Sequence, residues 1–134
     1  MDPVVHFEMP YDDADRILRF YEAVFGWKLQ GLGPEMGNYI LATTADKDSP
    51  REGGLRGSIN GGFFPRSPEM PGQHPSVVIA VADIQDAMKK VKQGGGEVLG
   101  TPMAIPGVGQ YVAFYDTERN RVSMLQPQPG QGGG

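Results

Sequence analysis

The residues best placed to do chemistry are the first histidine of the chain and the carboxylate two positions after it. The stretch VVHFEMPYDD, Val4 to Asp13, holds both His6 and Glu8. Side chains at i and i+2 of a strand share a face, about 6–7 Å apart. A nitrogen ligand beside a carboxylate is half of a metal site. The same two groups also make an acid/base pair. A carboxylate beside an imidazole raises its pKa and orients it, which suits removal of a proton from an activated carbon. The plainer reading is polar decoration on a wet sheet. The other histidine, His74, precedes Pro75 in a proline-rich stretch and completes neither arrangement.

Composition removes several alternatives. There is no cysteine, which excludes a disulfide scaffold, a thiolate nucleophile and a thiolate metal site, and fits a reducing compartment. The net charge of −4 carries no nucleic-acid footprint. Lys89, Lys90 and Lys92 read as the solvated face of a helix. The longest aliphatic run, VVIAVA (Val77–Ala82), is too short to span a bilayer. The start, MDP, has no basic or apolar leader. A cytoplasmic, soluble protein with no membrane or nucleic-acid partner is the expectation. The 20 glycines and 12 prolines lower the apolar fraction to 39%, yet 134 residues still suffice for a real core.

The elements that must position His6 and Glu8 follow one grammar, used twice. Val4–Met9 reads as a strand that Pro10 ends, and Asp12 or Asp13 can cap a helix. In ADRILRFYEAVF (Ala14–Phe25) the residues Ile17, Leu18, Phe20, Tyr21, Val24 and Phe25 keep helical spacing, with Gly26 as the C-cap. Strands follow at Trp27–Leu32, Tyr39–Thr44 and Gly57–Phe64. The second half repeats this order. Ser76–Ala82 is a strand, Asp83 an N-cap and Ile84–Gln93 a helix ended by Gly94–Gly96. Strands follow at Glu97–Met103, Gln110–Tyr115 and Arg121–Gln126. The spacing predicts a first βαβββ module over residues 3–64, a proline-rich linker over 65–75, a second βαβββ module over 76–127 and a Pro/Gly tail over 128–134.

Strand alternation predicts which side chains share a face. Val5, Phe7 and Met9 should meet the first helix, so His6 and Glu8 turn away from it. By the same alternation Ser58, Asn60 and Gly62 turn away on the fourth strand, as do Arg121 and Ser123 on the last. In the fifth strand both parities are apolar, and Val77, Ile79 and Val81 are assigned to the polar side as an aliphatic patch. Trp27, Tyr39, Tyr111 and Phe114 read mainly as core, with pocket lining as the alternative. Neither Gly94–Gly96 nor Pro106–Gly109 has the spacing of a phosphate cradle.

The stretches HFEMPYDDADRILRFYEAVFGWKL, INGGFF, VVIAVADIQDAMKKVKQGGGEVL, MAIPGVGQYVAFYD and DTERNRVSMLQP resemble, in that order, the vicinal oxygen chelate superfamily. That superfamily includes glyoxalase I, extradiol dioxygenases and bleomycin-resistance proteins. The closer likeness is to its glyoxalase-related branch. The resemblance implies an α+β fold, with two tandem βαβββ modules forming a U-shaped mixed sheet around a cleft. It also implies a homodimer. Metal-dependent members place ligands at positions that fall here on His6, Asn60, Val77 and Ser123. Only His6 is a competent ligand; Asn60 offers a weak carbonyl oxygen, Val77 nothing, and Ser123 stands where a carboxylate belongs. A catalytic divalent site needs about three strong side-chain ligands. No cofactor is therefore expected, a divalent metal being the alternative. The family's Asp-Pro-x-Gly-Asn turn appears as Asp116-Thr-Glu-Arg-Asn120, so Arg119 must take a position that usually belongs to glycine.

Three functions follow as expectations. The first is a small-molecule-binding protein with a metal-free cleft lined by Ser58, Asn60, Val77, Ile79, Tyr111, Arg121 and Ser123. The second is a lyase, isomerase or hydrolase with His6 and Glu8 as its acid/base pair. The third is a metal-dependent enzyme like lactoylglutathione lyase. A duplicated fold that serves only as a partner-binding subunit is the plain alternative.

Overall fold

The computed structural model describes residues 1–45, 59–69 and 73–129. The fold is α+β, built from two βαβββ modules. The first comprises β1 (Val4–Tyr11), α1 (Ala14–Phe25), β2 (Lys28–Gly31), β3 (Ile40–Thr43) and β4 (Asn60–Pro65). The second comprises β5 (Ser76–Ala80), α2 (Ile84–Gln93), β6 (Glu97–Ile105), β7 (Gly109–Tyr115) and β8 (Arg121–Pro127). The described residues of His6–Pro75 form one compact unit. Those of Met1–Val5 and Ser76–Gly134 form the other, where Ala80 N donates to Pro3 O at 2.9 Å.

The two modules share a strand order, β2-β3-β4-β1 in the first and β6-β7-β8-β5 in the second. In each, the first and fourth strands pair in parallel and the remaining pairs are antiparallel. A parallel pair needs a long crossover, and the helix supplies part of it.

Both helices start where the sequence offers a cap. The Asp13 carboxylate accepts from Arg16 N–H at 3.0 Å, and that of Asp83 from Asp86 N–H at 3.1 Å. These bonds satisfy donors that the first helical turn leaves unpaired. Gly26 ends α1 in the left-handed region, at φ 72°, where its N–H reaches Glu22 O.

Each helix covers one face of its own sheet. In the first module Ile17, Leu18 and Tyr21 pack with Phe7, Met9, Tyr11, Ile40, Ala42 and Phe63. Phe63 is fully buried, with the Tyr21 ring 5.2 Å from its own. In the second, Ile84, Ala87, Met88 and Val91 pack with Ile79, Val81, Val98, Val112, Phe114 and Met124.

Several expectations need correcting. Pro10 does not end β1, which continues to Tyr11 with Pro10 opposite Phe64. Proline removes one ladder donor, but its φ is compatible with extended backbone. The face assigned to β5 is also reversed. Ile79 and Val81 lie in the α2-side core, and alternation puts Val77 with them. Val78 and Ala80 take the opposite side. The Trp27–Leu32 and Tyr39–Thr44 strands are trimmed to Lys28–Gly31 and Ile40–Thr43. Gly57 and Ser58 lie outside the described residues.

Candidate functional site

The site grows from the face of the first module that α1 leaves uncovered. Phe7 and Met9 turn towards α1, so His6 and Glu8 project the other way. Both are half-buried. They do not bond to each other directly. Tyr39, immediately before β3, joins them: its hydroxyl lies 2.9 Å from His6 Nε2 and donates to Glu8 Oε2 at 3.0 Å.

To make that link Tyr39 crosses a strand. The order β3-β4-β1 places β4 between Tyr39 and its partners. Adjacent strands are about 4.8 Å apart, so the gap is about 10 Å. The crossing runs over Gly62, which stands in register with Leu41 on one side and Glu8 on the other. A Cβ at Gly62 would overlap the Tyr39 ring and hydroxyl. Its neighbour Gly61 serves the opposite face, where a Cβ would collide with the Phe7 ring and carbonyl. The Gly-Gly pair thus opens one seat on each face of the strand.

The electrostatics differ from expectation. The His6 pKa is lowered below its ordinary 6.5, because burial disfavours the imidazolium and outweighs the favourable charge of Glu8. A neutral imidazole is thereby favoured near neutral pH, in a form that can accept a proton.

The remaining residues named from the sequence divide between the two modules. Asn60 is the register partner of His6, but its Oδ1 accepts from Thr44 N at 2.9 Å and Ala45 N at 3.4 Å, where it holds the end of β3. In the second module the Tyr111 and Ser123 hydroxyls bond at 2.6 Å, with Ser123 only 4% exposed. Arg121 stands two residues before Ser123 on the same face of β8, half-buried. Ser123 is in register with Val78, not Val77. Val77 and Ile79 are withdrawn from that face, as described above. Ser58 lies outside the described residues.

This donor set does not fit a catalytic divalent metal. His6 is the single nitrogen ligand among the four family positions. The Asn60 oxygen and the Ser123 hydroxyl already have partners, and Val77 is inert. Among the described residues no three His, Cys, Asp or Glu side chains cluster. A catalytic metal typically draws about three such ligands from the protein.

A depression of about 370 Å³ lies elsewhere on the first module, beside Tyr11, Asp12, Arg16 and Arg66. His6, Glu8 and Tyr39 do not line it, and Arg66 there already pairs with Asp12 at 3.5 Å. The polar groups of this depression serve the α1 cap and an exposed ion pair. Tyr39 is the site residue that sequence reasoning assigned mainly to the core. The signal was present: alternation sets Tyr39 and Leu41 against the buried Ile40 and Ala42, and Gly62 leaves room between.

With this geometry established, comparison with known proteins defines the class. The chain belongs to the Glyoxalase/Bleomycin resistance protein/Dioxygenase superfamily, whose model matches residues 4–124. Among curated proteins it is 30% identical over 125 residues to "Putative glyoxylase CFP32" of Mycobacterium bovis. That match covers 92% of this chain but 44% of the relative, so the chain spans less than half of that relative's length. Solved structures share the fold, among them the two that follow. The hypothetical protein BH1468 from Bacillus halodurans superposes with TM-score 0.66 at 16% identity, covering 95% of each chain. Methylmalonyl-CoA epimerase from Mycobacterium tuberculosis does so with TM-score 0.65 at 13% identity, covering 94% of this chain and 88% of the epimerase. No helix among the described residues is long and apolar enough to cross a membrane.

Proposed function

We propose that this chain binds a small organic molecule over the His6–Tyr39–Glu8 face of its first module and moves a proton on it without a divalent metal. One observation carries the reading: a histidine, a tyrosine and a glutamate joined by hydrogen bonds of 2.9 and 3.0 Å on the face that α1 leaves uncovered. His6 is the base. It takes a proton from a carbon next to a carbonyl, the electron pair stays on the ligand as an enolate, and the imidazolium returns the proton. Glu8 stabilises the imidazolium through Tyr39. The donor set described above supports a reaction without a metal. Family membership supports a small-molecule ligand.

The test is deuterium exchange into a panel of 2-oxo acids, 2-hydroxy ketones and acyl thioesters, followed by proton NMR with the whole chain. A thermal-shift screen of the same panel reports binding. Exchange at one carbon should be lost by a hundredfold or more in His6→Ala. It should fall less in Glu8→Gln, while thermal shifts persist in both variants. Undiminished exchange in His6→Ala would end the proposal. Thermal shifts with no exchange in any variant would reduce the protein to a binder.

A further inference from the structure

We propose that Tyr39 is a positioning residue that holds the His6 proton on Nε2 and so leaves Nδ1 as the basic nitrogen. The inference rests on the reading of His6 as a base and names the atom that acts. It follows from a proton count. A tyrosine hydroxyl has one proton, and an ionised carboxylate only accepts. The Tyr39 proton goes to Glu8 Oε2, at 3.0 Å. The Tyr39 oxygen can then meet His6 only as an acceptor, so Nε2, at 2.9 Å, carries a hydrogen. In a neutral imidazole the other nitrogen then holds the lone pair. No hydrogen bond engages His6 Nδ1 among the described residues.

The arrangement orders three groups by direction. Nε2–H donates to Tyr39 Oη, whose O–H donates to Glu8. If Nδ1 takes a proton, both bonds keep their sense and the new positive charge faces the carboxylate through the hydroxyl. No proton need leave Nε2. The opposite tautomer would put a bare Nε2 against Tyr39. The single hydroxyl proton would then be divided between an imidazole and a carboxylate, leaving one acceptor facing another without a hydrogen.

The packing makes this a specific role for Tyr39. Its ring rests over Gly62, so the hydroxyl reaches β1 by a route fixed by backbone. Phenylalanine would keep the ring and its seat and remove only the hydroxyl.

The experiment is long-range ¹⁵N–¹H correlation NMR of the whole chain labelled at histidine, without ligand, at a pH where His6 is neutral. His74, the only other histidine, is exposed and serves as the internal reference. The expected result is a single His6 tautomer with Nε2 protonated and Nδ1 bare. Tyr39→Phe should lose that single-tautomer signature while His74 is unchanged. A His6 proton on Nδ1 in the unmodified chain would overturn the inference, as would a His6 pattern identical in the unmodified chain and Tyr39→Phe. The measurement needs no turnover. Its failure is therefore separate from failure of the base assignment, which His6→Ala decides by exchange.

Discussion

Replacing Gly62 by alanine tests whether Tyr39 is seated as described. The added methyl would overlap the Tyr39 hydroxyl and ring carbons. A rigid ring lying over a central strand cannot yield by rotating a flexible end, so ring or backbone must shift. Overpacking of this kind costs roughly 1–3 kcal/mol. Against it stands a gain of about 0.4–1 kcal/mol, because alanine restricts the unfolded chain more than glycine does. The φ of Gly62 is not left-handed, so no backbone penalty is added. Gly62→Ala should therefore destabilise the chain by about 1–2 kcal/mol. The control is the same substitution in a Tyr39→Ala background, where the clash is absent. There it should be neutral or stabilising by up to about 1 kcal/mol. The coupling between the two sites should be about 1–3 kcal/mol, read from urea unfolding followed by circular dichroism in a four-variant cycle. Equal costs in both backgrounds would refute the seating of Tyr39 over Gly62, and with it the route from β3 to β1.

Three further outcomes are expected. The lowered His6 pKa means that the unfolded chain binds more protons in the window just below pH 6.5, so stability is fully present above 6.5 and is lost as pH falls through the folded-state pKa. His6→Gln should flatten that part of a pH series of urea midpoints, and an unchanged slope would remove His6 as its source. At the β7–β8 turn Arg119 sits at φ 65° while pairing with Glu97 at 3.0 Å and lying 4.2 Å over the Tyr115 ring. Arg119→Ala keeps the strained backbone and loses both contacts, costing about 1 kcal/mol, whereas Arg119→Gly should cost less in thermal unfolding. Both variants lose the two contacts, so glycine proving worse than alanine would show that the left-handed backbone at this position carries no strain. Phe63→Ala, at a fully buried position, should cost about 3–5 kcal/mol by urea unfolding; under 1 kcal/mol would contradict the packing described.

What was legible in the sequence depended on contrast. In β1, apolar Val5, Phe7 and Met9 alternate with His6 and Glu8, and the pattern placed His6 and Glu8 on the face away from α1. In β5 the run VVIAVA is apolar on both parities, the single polar residue, Ser76, stands at the strand's start on the parity of Val78 and Ala80, and Val77, Ile79 and Val81 were assigned to the wrong side. The caps at Gly26 and Asp83 were readable because each depends on local backbone geometry, and of Asp12 and Asp13 the structure uses Asp13. The demand on Arg119 came from the family resemblance, and its left-handed φ is what a glycine position in a turn requires. Tyr39 was harder to read. Its partners lie 33 and 31 residues away, and the link exists only because β4 is inserted between β3 and β1. The His6 pKa shift was misjudged because the carboxylate is visible in the sequence, whereas the burial that outweighs it arises only on folding.

The chain has a single tryptophan, Trp27, and its placement has a consequence for folding studies. Trp27 stacks on Tyr21 at 4.7 Å and meets Phe7 at 5.5 Å, within the first module's core. Indole emission will therefore report the melting of that half alone, while backbone dichroism averages over both. If the two denaturation curves coincide, the duplicated halves behave as one cooperative unit. If the emission changes first, the half that carries His6 is the less stable, and its Tyr39 link should be lost before most of the secondary structure.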